Sequence, residues 1–115
     1  MRLFGSSGIR AVFDKNLLNI AFRSGLAAGK HYHSIAVGTD TRTSGGAMKH
    51  AVISGILSSG VRCSDAGVVP TPTLAYITRE FDASIMVTAS HNPPEYNGLK
   101  LLNPDGSSFD MPQQE

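Results

Sequence analysis

Short apolar runs alternate with longer segments of mixed polarity along the chain. Each run is bounded by turn-forming residues such as glycine, proline, asparagine and serine, a pattern typical of buried β-strands. The predicted strands are residues 8–13, 34–39, 61–65, 84–88 and 99–102.

The longer segments have apolar residues at helical spacing. Asn16 can cap a first helix over residues 17–30, although Gly25 and Gly29 lower its helical propensity. Two further helices are predicted after the second and third strands.

Ser44 can cap the second helix, over residues 47–60, and Gly60 supplies its end. Pro72 suits the first turn of the third helix, which continues over residues 73–81.

Alternating strands and helices predict an α/β fold, a three-layer α/β/α arrangement around a mixed, mostly parallel sheet of four to five strands. In such sheets ligands bind beyond the carboxyl ends of the strands. Three loops lie there, residues 40–46, 66–72 and 89–98, and we expect them to converge on one edge.

The length of 115 residues fits a single domain, with residues 104–115 expected to begin the link to a second one. Hydrophobic residues make up 41% and charged residues 17%, as in a folded globular protein. The net charge is +1 without a basic run, which argues against a nucleic-acid partner. The single cysteine, Cys63, excludes an internal disulfide and is predicted to be a small buried residue on a strand.

The N-terminus has no apolar stretch of the signal-peptide type, and no window approaches the ~20 apolar residues of a membrane helix. We therefore expect a cytoplasmic protein without a membrane partner. His31, His33 and His50 are predicted to be solvated, and Tyr76 and Phe81 to belong to the core.

The richest segment for chemistry is TASHNPPEYNGLK, residues 88–100. Its paired prolines stiffen the loop, and Asn97-Gly98 predicts a tight turn. Ser90, held at a strand end, is a candidate nucleophile, with His91 and Lys100 nearby as proton shuttle and positive charge. The alternative is a surface loop in which Ser90 caps backbone groups.

A serine hydrolase is a rival interpretation of Ser90 and His91. Adjacent residues of an extended segment point apart, so His91 is badly placed as the base for Ser90. The segment also lacks the G-x-S-x-G turn, and no aspartate is an obvious third member.

Two further segments could bind an anion. FGSSGIRA, residues 4–11, has glycines and serines before Arg10, which could bind phosphate or lie on an exposed strand face. GTDTRTSGG, residues 38–46, leads into a helix, where Asp40 and Arg42 either tie loops together or flank a phosphate.

Together these three segments, in this order, resemble the α-D-phosphohexomutase family (phosphoglucomutase/phosphomannomutase), specifically its first domain. The serine loop resembles the family's T-x-S-H-N-P motif followed by N-G-x-K, and GTDTRTSGG its G-x-D-x-R loop. The start FGSSGIR is similar to F-G-[TS]-x-G-x-R, with Ala11 where many members have glycine. The wording PPEYNG is nearer to the glucose and mannose branch than to the glucosamine branch.

The resemblance implies that Ser90 carries a phosphoryl group and, through it, binds Mg²⁺. His91 and Lys100 would assist at the reacting hydroxyl. Arg10 would contact the substrate or the phosphoserine, and Ser7 the substrate. A hexose phosphate would be converted through a hexose 1,6-bisphosphate, which also serves as activator.

The same family has four domains, and its acidic metal loop, sugar loop and phosphate loop belong to the other three. We therefore expect these 115 residues alone to be inactive, to need the remaining domains as partners, and to self-associate weakly. A phosphoglucosamine mutase and a non-catalytic sugar-phosphate-binding module remain the alternatives.

Overall fold

The computed structural model describes residues 9–89 and 92–107. The strands are β1 (Ile9–Val12), β2 (Ser34–Thr39), β3 (Arg62–Val68), β4 (Ala83–Val87) and β5 (Tyr96–Leu102). The helices are α1 (Lys15–His31), α2 (Gly45–Ser58) and α3 (Thr71–Ile77), the last followed by one 3₁₀ turn (Thr78–Glu80).

The strands form one mixed sheet in the order β1-β5-β4-β2-β3. Strands β2, β3 and β4 pair in parallel, whereas β5 is antiparallel to both of its neighbours, β4 and β1. Four of the five strands therefore run in the same direction, and the predicted mixed, mostly parallel sheet is confirmed.

Each face of the sheet has its own apolar core. Alternate residues of the central strands, such as Val37 and Ile85, pack under α1 and α2. Residues of the opposite parity, such as Ala36 and Met86, pack under Leu74 of α3. Because side chains alternate across a strand, each buried strand serves both cores, and the predicted three-layer arrangement is confirmed.

Helix α1 begins at a different residue from the one predicted. Asp14, not Asn16, is the N-cap, and its Oδ1 accepts a hydrogen bond of 2.9 Å from the backbone N of Leu17. Gly25, which weakened the prediction, lies at the contact with α2, where a Cβ would overlap the carbonyl oxygen of Val52. The glycine allows the two helices to approach closely, and this packing outweighs its low helical propensity.

Helices α2 and α3 confirm three predictions and contradict one. Ser44 is the N-cap of α2, although its side chain makes no cap hydrogen bond, and Gly60 ends that helix with φ +80°. Pro72 lies in the first turn of α3. Tyr76, predicted to be core, is 66% exposed, with the guanidinium of Arg79 4.4 Å from its ring centroid. Leu74 is the buried residue of α3, and Tyr76, two positions further on, lies on another side of the helix.

The predicted turn at Asn97-Gly98 is wrong, because both residues lie inside β5. Gly98 pairs with Arg10 of β1, where a Cβ would overlap the carbonyl oxygen of Ile9. Glycine is needed here for close approach of two strands, not for a positive φ. The turn occurs earlier, where the backbone N of Tyr96 donates to the carbonyl of Pro93 at 2.9 Å.

The isolated titratable residues behave largely as predicted. The three histidines His31, His33 and His50 are exposed. Cys63 is half-buried on β3, and burial, with a smaller contribution from the charge of Asp65, raises the pKa of its thiol to about 11. None of the helices in the described ranges is both long enough and apolar enough to cross a bilayer.

Candidate functional site

The three predicted loops converge at the carboxyl ends of the parallel strands. The backbone N of Asp40 donates to the carbonyl of Val87 at 3.2 Å, which joins the ends of β2 and β4. The backbone N of Val69 donates to the carbonyl of Thr39 at 3.0 Å, which joins the ends of β3 and β2. This edge of the sheet is where an α/β protein places its ligand site.

Arg42 joins two of these loops through its guanidinium. Its Nη1 donates to the carbonyl oxygens of Pro93 at 2.8 Å and Tyr96 at 3.3 Å, and its Nη2 donates to that of Asn92 at 2.9 Å. Its Nε donates to Oδ2 of Asp40 at 3.3 Å. Arg42 therefore ties the loops together as predicted, but through backbone carbonyls in addition to a carboxylate.

Asp40 connects the same arginine to the base of the serine loop. Its Oδ2 accepts a hydrogen bond of 2.6 Å from Oγ1 of Thr88, the first residue after β4, and its Oδ1 accepts one of 3.1 Å from the backbone N of Arg42. The Arg42 and Asp40 side chains are 12% and 27% exposed, so the ion pair is largely shielded from water.

Asn97 holds the other end of the serine loop against α2. It is completely buried, its Nδ2 donates to Oγ of Ser44 at 2.8 Å, and its Oδ1 accepts from the backbone N of Gly98 at 2.8 Å. A buried amide with both of its polar atoms bonded fixes the position of its strand. The side chain of Ser44, which makes no cap hydrogen bond, accepts this one from β5.

Ser90, His91 and Ser7 lie outside the described residues. The residues that flank the first two are described, and they are joined. Both the backbone N and the side-chain Nδ2 of Asn92 donate to the carbonyl of Ala89, at 3.0 and 2.8 Å. The chain therefore enters and leaves the Ser90-His91 pair at fixed, adjacent points.

Arg10 and Lys100 lie on one face of the sheet, the face that carries α3. Arg10 is directly opposite Gly98, and Lys100 is two residues further along β5, opposite Met86 of the α3-side core. Both residues are half-buried. Diagonal positions of two paired strands are about 7–8 Å apart, so the two cations are neighbours on one face.

Sequence reasoning gave no role to Thr88 and assigned Asn97 only to a turn, although both lie within the conspicuous serine segment. Their partners, Asp40 and Ser44, are about fifty positions away in the chain. The only local signal was a polar residue on either side of a two-proline loop, which does not identify a distant partner.

Within residues 9–89 and 92–107, no group of three or more His, Cys, Asp or Glu residues could hold a metal ion. The carboxylate of Asp40 already accepts from Thr88 and from Arg42. The described residues thus do not by themselves provide a magnesium site.

A family model described as the alpha/beta/alpha domain I of phosphoglucomutase/phosphomannomutase matches residues 1–115. The chain belongs to the phosphoglucomutase/phosphomannomutase family. The resemblance of the three sequence segments is thereby confirmed, and the convergent edge is that of a phosphohexomutase first domain.

Named relatives agree with this membership. The chain is 53% identical to a probable phosphoglucosamine mutase from Methanococcoides burtonii, over all of this chain and 27% of the relative. It is 50% identical to a phosphoglucosamine mutase from Methanococcus aeolicus, over all of this chain and 25% of the relative. The chain therefore spans about a quarter of the length of these relatives.

Solved structures share the same architecture. A putative phosphomannomutase from Thermus thermophilus superimposes with a TM-score of 0.83 at 30% identity, over 98% of this chain and 28% of the other. A phosphoglucomutase/phosphomannomutase family protein from Burkholderia thailandensis gives 0.78 at 31% identity, over 93% and 27%.

Proposed function

We propose that this chain is the phosphoserine-bearing domain of a phosphohexose mutase, which interconverts hexose 1-phosphate and hexose 6-phosphate. The observation that carries the proposal is the segment TASHNPPEYNGLK, fixed on both sides of Ser90 at the ligand-binding edge of a phosphohexomutase domain. Phosphoryl transfer depends mainly on positioning and charge stabilisation. The anchored residues on both sides of Ser90 support the first, and the cations Arg10 and Lys100 on the same sheet support the second.

In the proposed reaction, a hydroxyl oxygen of the hexose phosphate attacks the phosphorus on Ser90. The bond from phosphorus to the serine oxygen breaks, the hydroxyl proton passes to His91 or to solvent, and a hexose 1,6-bisphosphate results. After the sugar turns over, the serine oxygen attacks the other phosphorus and the product hydroxyl regains a proton. Phosphate and protons are conserved over the cycle.

The cations on the α3-side face have distinct proposed tasks. Lys100 would stabilise negative charge on the transferring phosphoryl group, and Arg10 and Ser7 would hold the substrate. Mg²⁺ is the proposed cofactor, with the phosphate on Ser90 as one ligand and the others from domains outside these 115 residues. When bound, it would neutralise phosphate charge.

The sugar is proposed from the relatives. The phosphoglucosamine mutases at 53% and 50% identity favour an amino sugar phosphate, whereas PPEYNG pointed to glucose or mannose phosphate. Identity over the whole domain samples many more positions than one loop, so we place glucosamine phosphate first and the two neutral sugars as alternatives.

The test is a mutase assay on the full-length protein, with glucosamine, glucose and mannose 6-phosphates as separate substrates and the 1-phosphate measured by ³¹P NMR. We expect conversion that Ser90→Ala abolishes, fastest with the amino sugar. Residues 1–115 alone should give none. A Ser90→Ala protein as active as the parent would refute the proposed role.

A non-catalytic sugar-phosphate-binding module is the second candidate, favoured by the same convergent edge and cations. It predicts saturable binding of a hexose 6-phosphate by the full-length protein without any 1-phosphate product. The ³¹P measurement distinguishes the two candidates directly, because only the mutase forms a new resonance.

A further inference from the structure

The donors of Arg42 are engaged by the protein itself. Within the described residues, its guanidinium nitrogens donate to Asp40 and to the carbonyls of Asn92, Pro93 and Tyr96. An arginine whose donors are engaged by the protein is poorly suited to bind a phosphate. Its hydrogen bonds instead hold two loops together. We call Arg42, Asp40 and the three carbonyls that Arg42 contacts the brace.

Two of the carbonyls that Arg42 contacts, those of Asn92 and Tyr96, make partly buried hydrogen bonds to it, whereas that of Pro93 is exposed and also accepts from the backbone N of Tyr96. They belong to a segment with Pro93 and Pro94, which cannot extend a backbone ladder. Backbone carbonyls shielded from water are costly without partners. A planar fork can reach three carbonyls at once, whereas the single ammonium of a lysine cannot span them.

Asp40 links the rest of the brace to the entrance of the loop. One carboxylate oxygen, Oδ2, accepts from both Thr88 and Arg42, so the residue before Ala89 and the residues after His91 share one anchor. The hydrogen bonds from Asn92 to Ala89 close the same segment locally. Any displacement of Arg42 would therefore move both approaches to Ser90.

We propose that Arg42 and Asp40 are positioning residues, which hold the serine loop so that the Ser90 oxygen meets its phosphoryl donor. The expected effect on catalysis rests on the proposed function, whereas the hydrogen bonds of the brace are observed in the structure. A misplacement of about 1 Å can cost on the order of a hundredfold in rate. We therefore expect loss of the brace to slow phosphoryl transfer without weakening binding.

The experiment compares Arg42→Lys with Arg62→Lys in the full-length protein. Arg62 is an exposed residue at the opposite end of the sheet, paired with the first residue of β2, and is the matched control. Single-turnover transfer from glucosamine 1,6-bisphosphate or glucose 1,6-bisphosphate to Ser90 is quenched and followed by mass spectrometry. Arg42→Lys should slow the maximal rate at least about tenfold, with the half-saturating concentration changed less than about threefold.

A second pair of variants tests the anchor without altering the arginine. Thr88→Val removes the hydroxyl that donates to Asp40, whereas Thr88→Ser retains it. We expect the valine variant to be slowed about tenfold and the serine variant to transfer at nearly the parent rate. This pair carries the test if Arg42→Lys does not fold.

Equal maximal rates for Arg42→Lys and Arg62→Lys, or for Thr88→Val and Thr88→Ser, would overturn the inference. A tenfold rise in half-saturation at unchanged maximal rate would also overturn it, because that result belongs to a phosphate ligand. If the parent protein takes no phosphate on Ser90, the proposed function fails instead. Hydrogen exchange of residues 92–98 then decides the brace: faster exchange in Arg42→Lys supports it, and unchanged exchange refutes it.

Discussion

The close contact between α1 and α2 depends on Gly55, and its replacement by alanine should be destabilising. A Cβ at this position would overlap the carbonyl oxygen of Phe22 and lie 2.7 Å from the backbone N of Leu26. Both obstacles are backbone atoms of α1, which cannot rotate aside. The helices would have to move apart and lose contacts in the larger apolar core.

The size of the effect follows from two opposing contributions. Glycine to alanine at an unhindered helical site stabilises by about 0.4–1 kcal/mol, because the unfolded chain loses freedom. Overpacking a closely packed core costs about 1–3 kcal/mol. We therefore expect Gly55→Ala to lower the free energy of unfolding by about 1–2 kcal/mol.

Gly46→Ala is the matched control, because Gly46 lies in the same helix and its Cβ would meet nothing within 4 Å. It should leave the stability unchanged or raise it by up to about 1 kcal/mol. The assay is urea unfolding of the 115-residue chain, followed by circular dichroism. Equal effects of the two substitutions, or a Gly55→Ala protein as stable as the parent, would refute the packing argument.

Two further predictions concern buried polar groups. Burial raises the pKa of the Cys63 thiol to about 11, so the reactive thiolate is a small fraction at neutral pH. Its alkylation by iodoacetamide should therefore accelerate about tenfold per pH unit up to about pH 9.5. A plateau of the rate below about pH 9 would contradict this prediction. Asp65→Asn should increase the alkylation rate at a given pH only modestly, since the carboxylate is the smaller cause. Asn97→Ala and Ser44→Ala should each cost about 1–3 kcal/mol in urea unfolding, and strict additivity in the double variant would argue against their hydrogen bond.

Periodicity was sufficient for most of the fold because the local pattern and the tertiary packing agree. The run SIAVGT is buried at every position and forms β2 with the predicted bounds. Such a strand is apolar on both faces, so the sequence carries the signal without an alternating pattern. The predicted boundaries were less accurate elsewhere. Strand β3, predicted to end at residue 65, continues to Val68 through a register shift beside Gly38.

The failures occurred where a distant residue decides the local conformation. Asn97-Gly98 is typical of a turn, yet β1 approaches so closely that the pair continues a strand. The helix through Gly25 was predicted correctly, but the sequence does not reveal that the backbone of α2 packs against this glycine. Nothing local to Tyr76 indicates that α3 presents this side chain to solvent.

Sequence patterns selected the segments that meet at this edge of the sheet, but not the hydrogen bonds between them. The segment around Ser90 and the loop with Asp40 and Arg42 were both selected from the sequence. The contacts from Arg42 to three carbonyls and from Thr88 to Asp40 span about fifty positions, and no short-range pattern encodes them.

The most direct test of the account is phosphosite mapping of Ser90 in the full-length protein by mass spectrometry. The protein is incubated with Mg²⁺ and a hexose 1,6-bisphosphate and then with a hexose monophosphate. The account predicts phosphate on the peptide that contains Ser90 and its loss when the monophosphate is added. An unmodified Ser90 in protein that still converts the sugar phosphates would contradict the central claim.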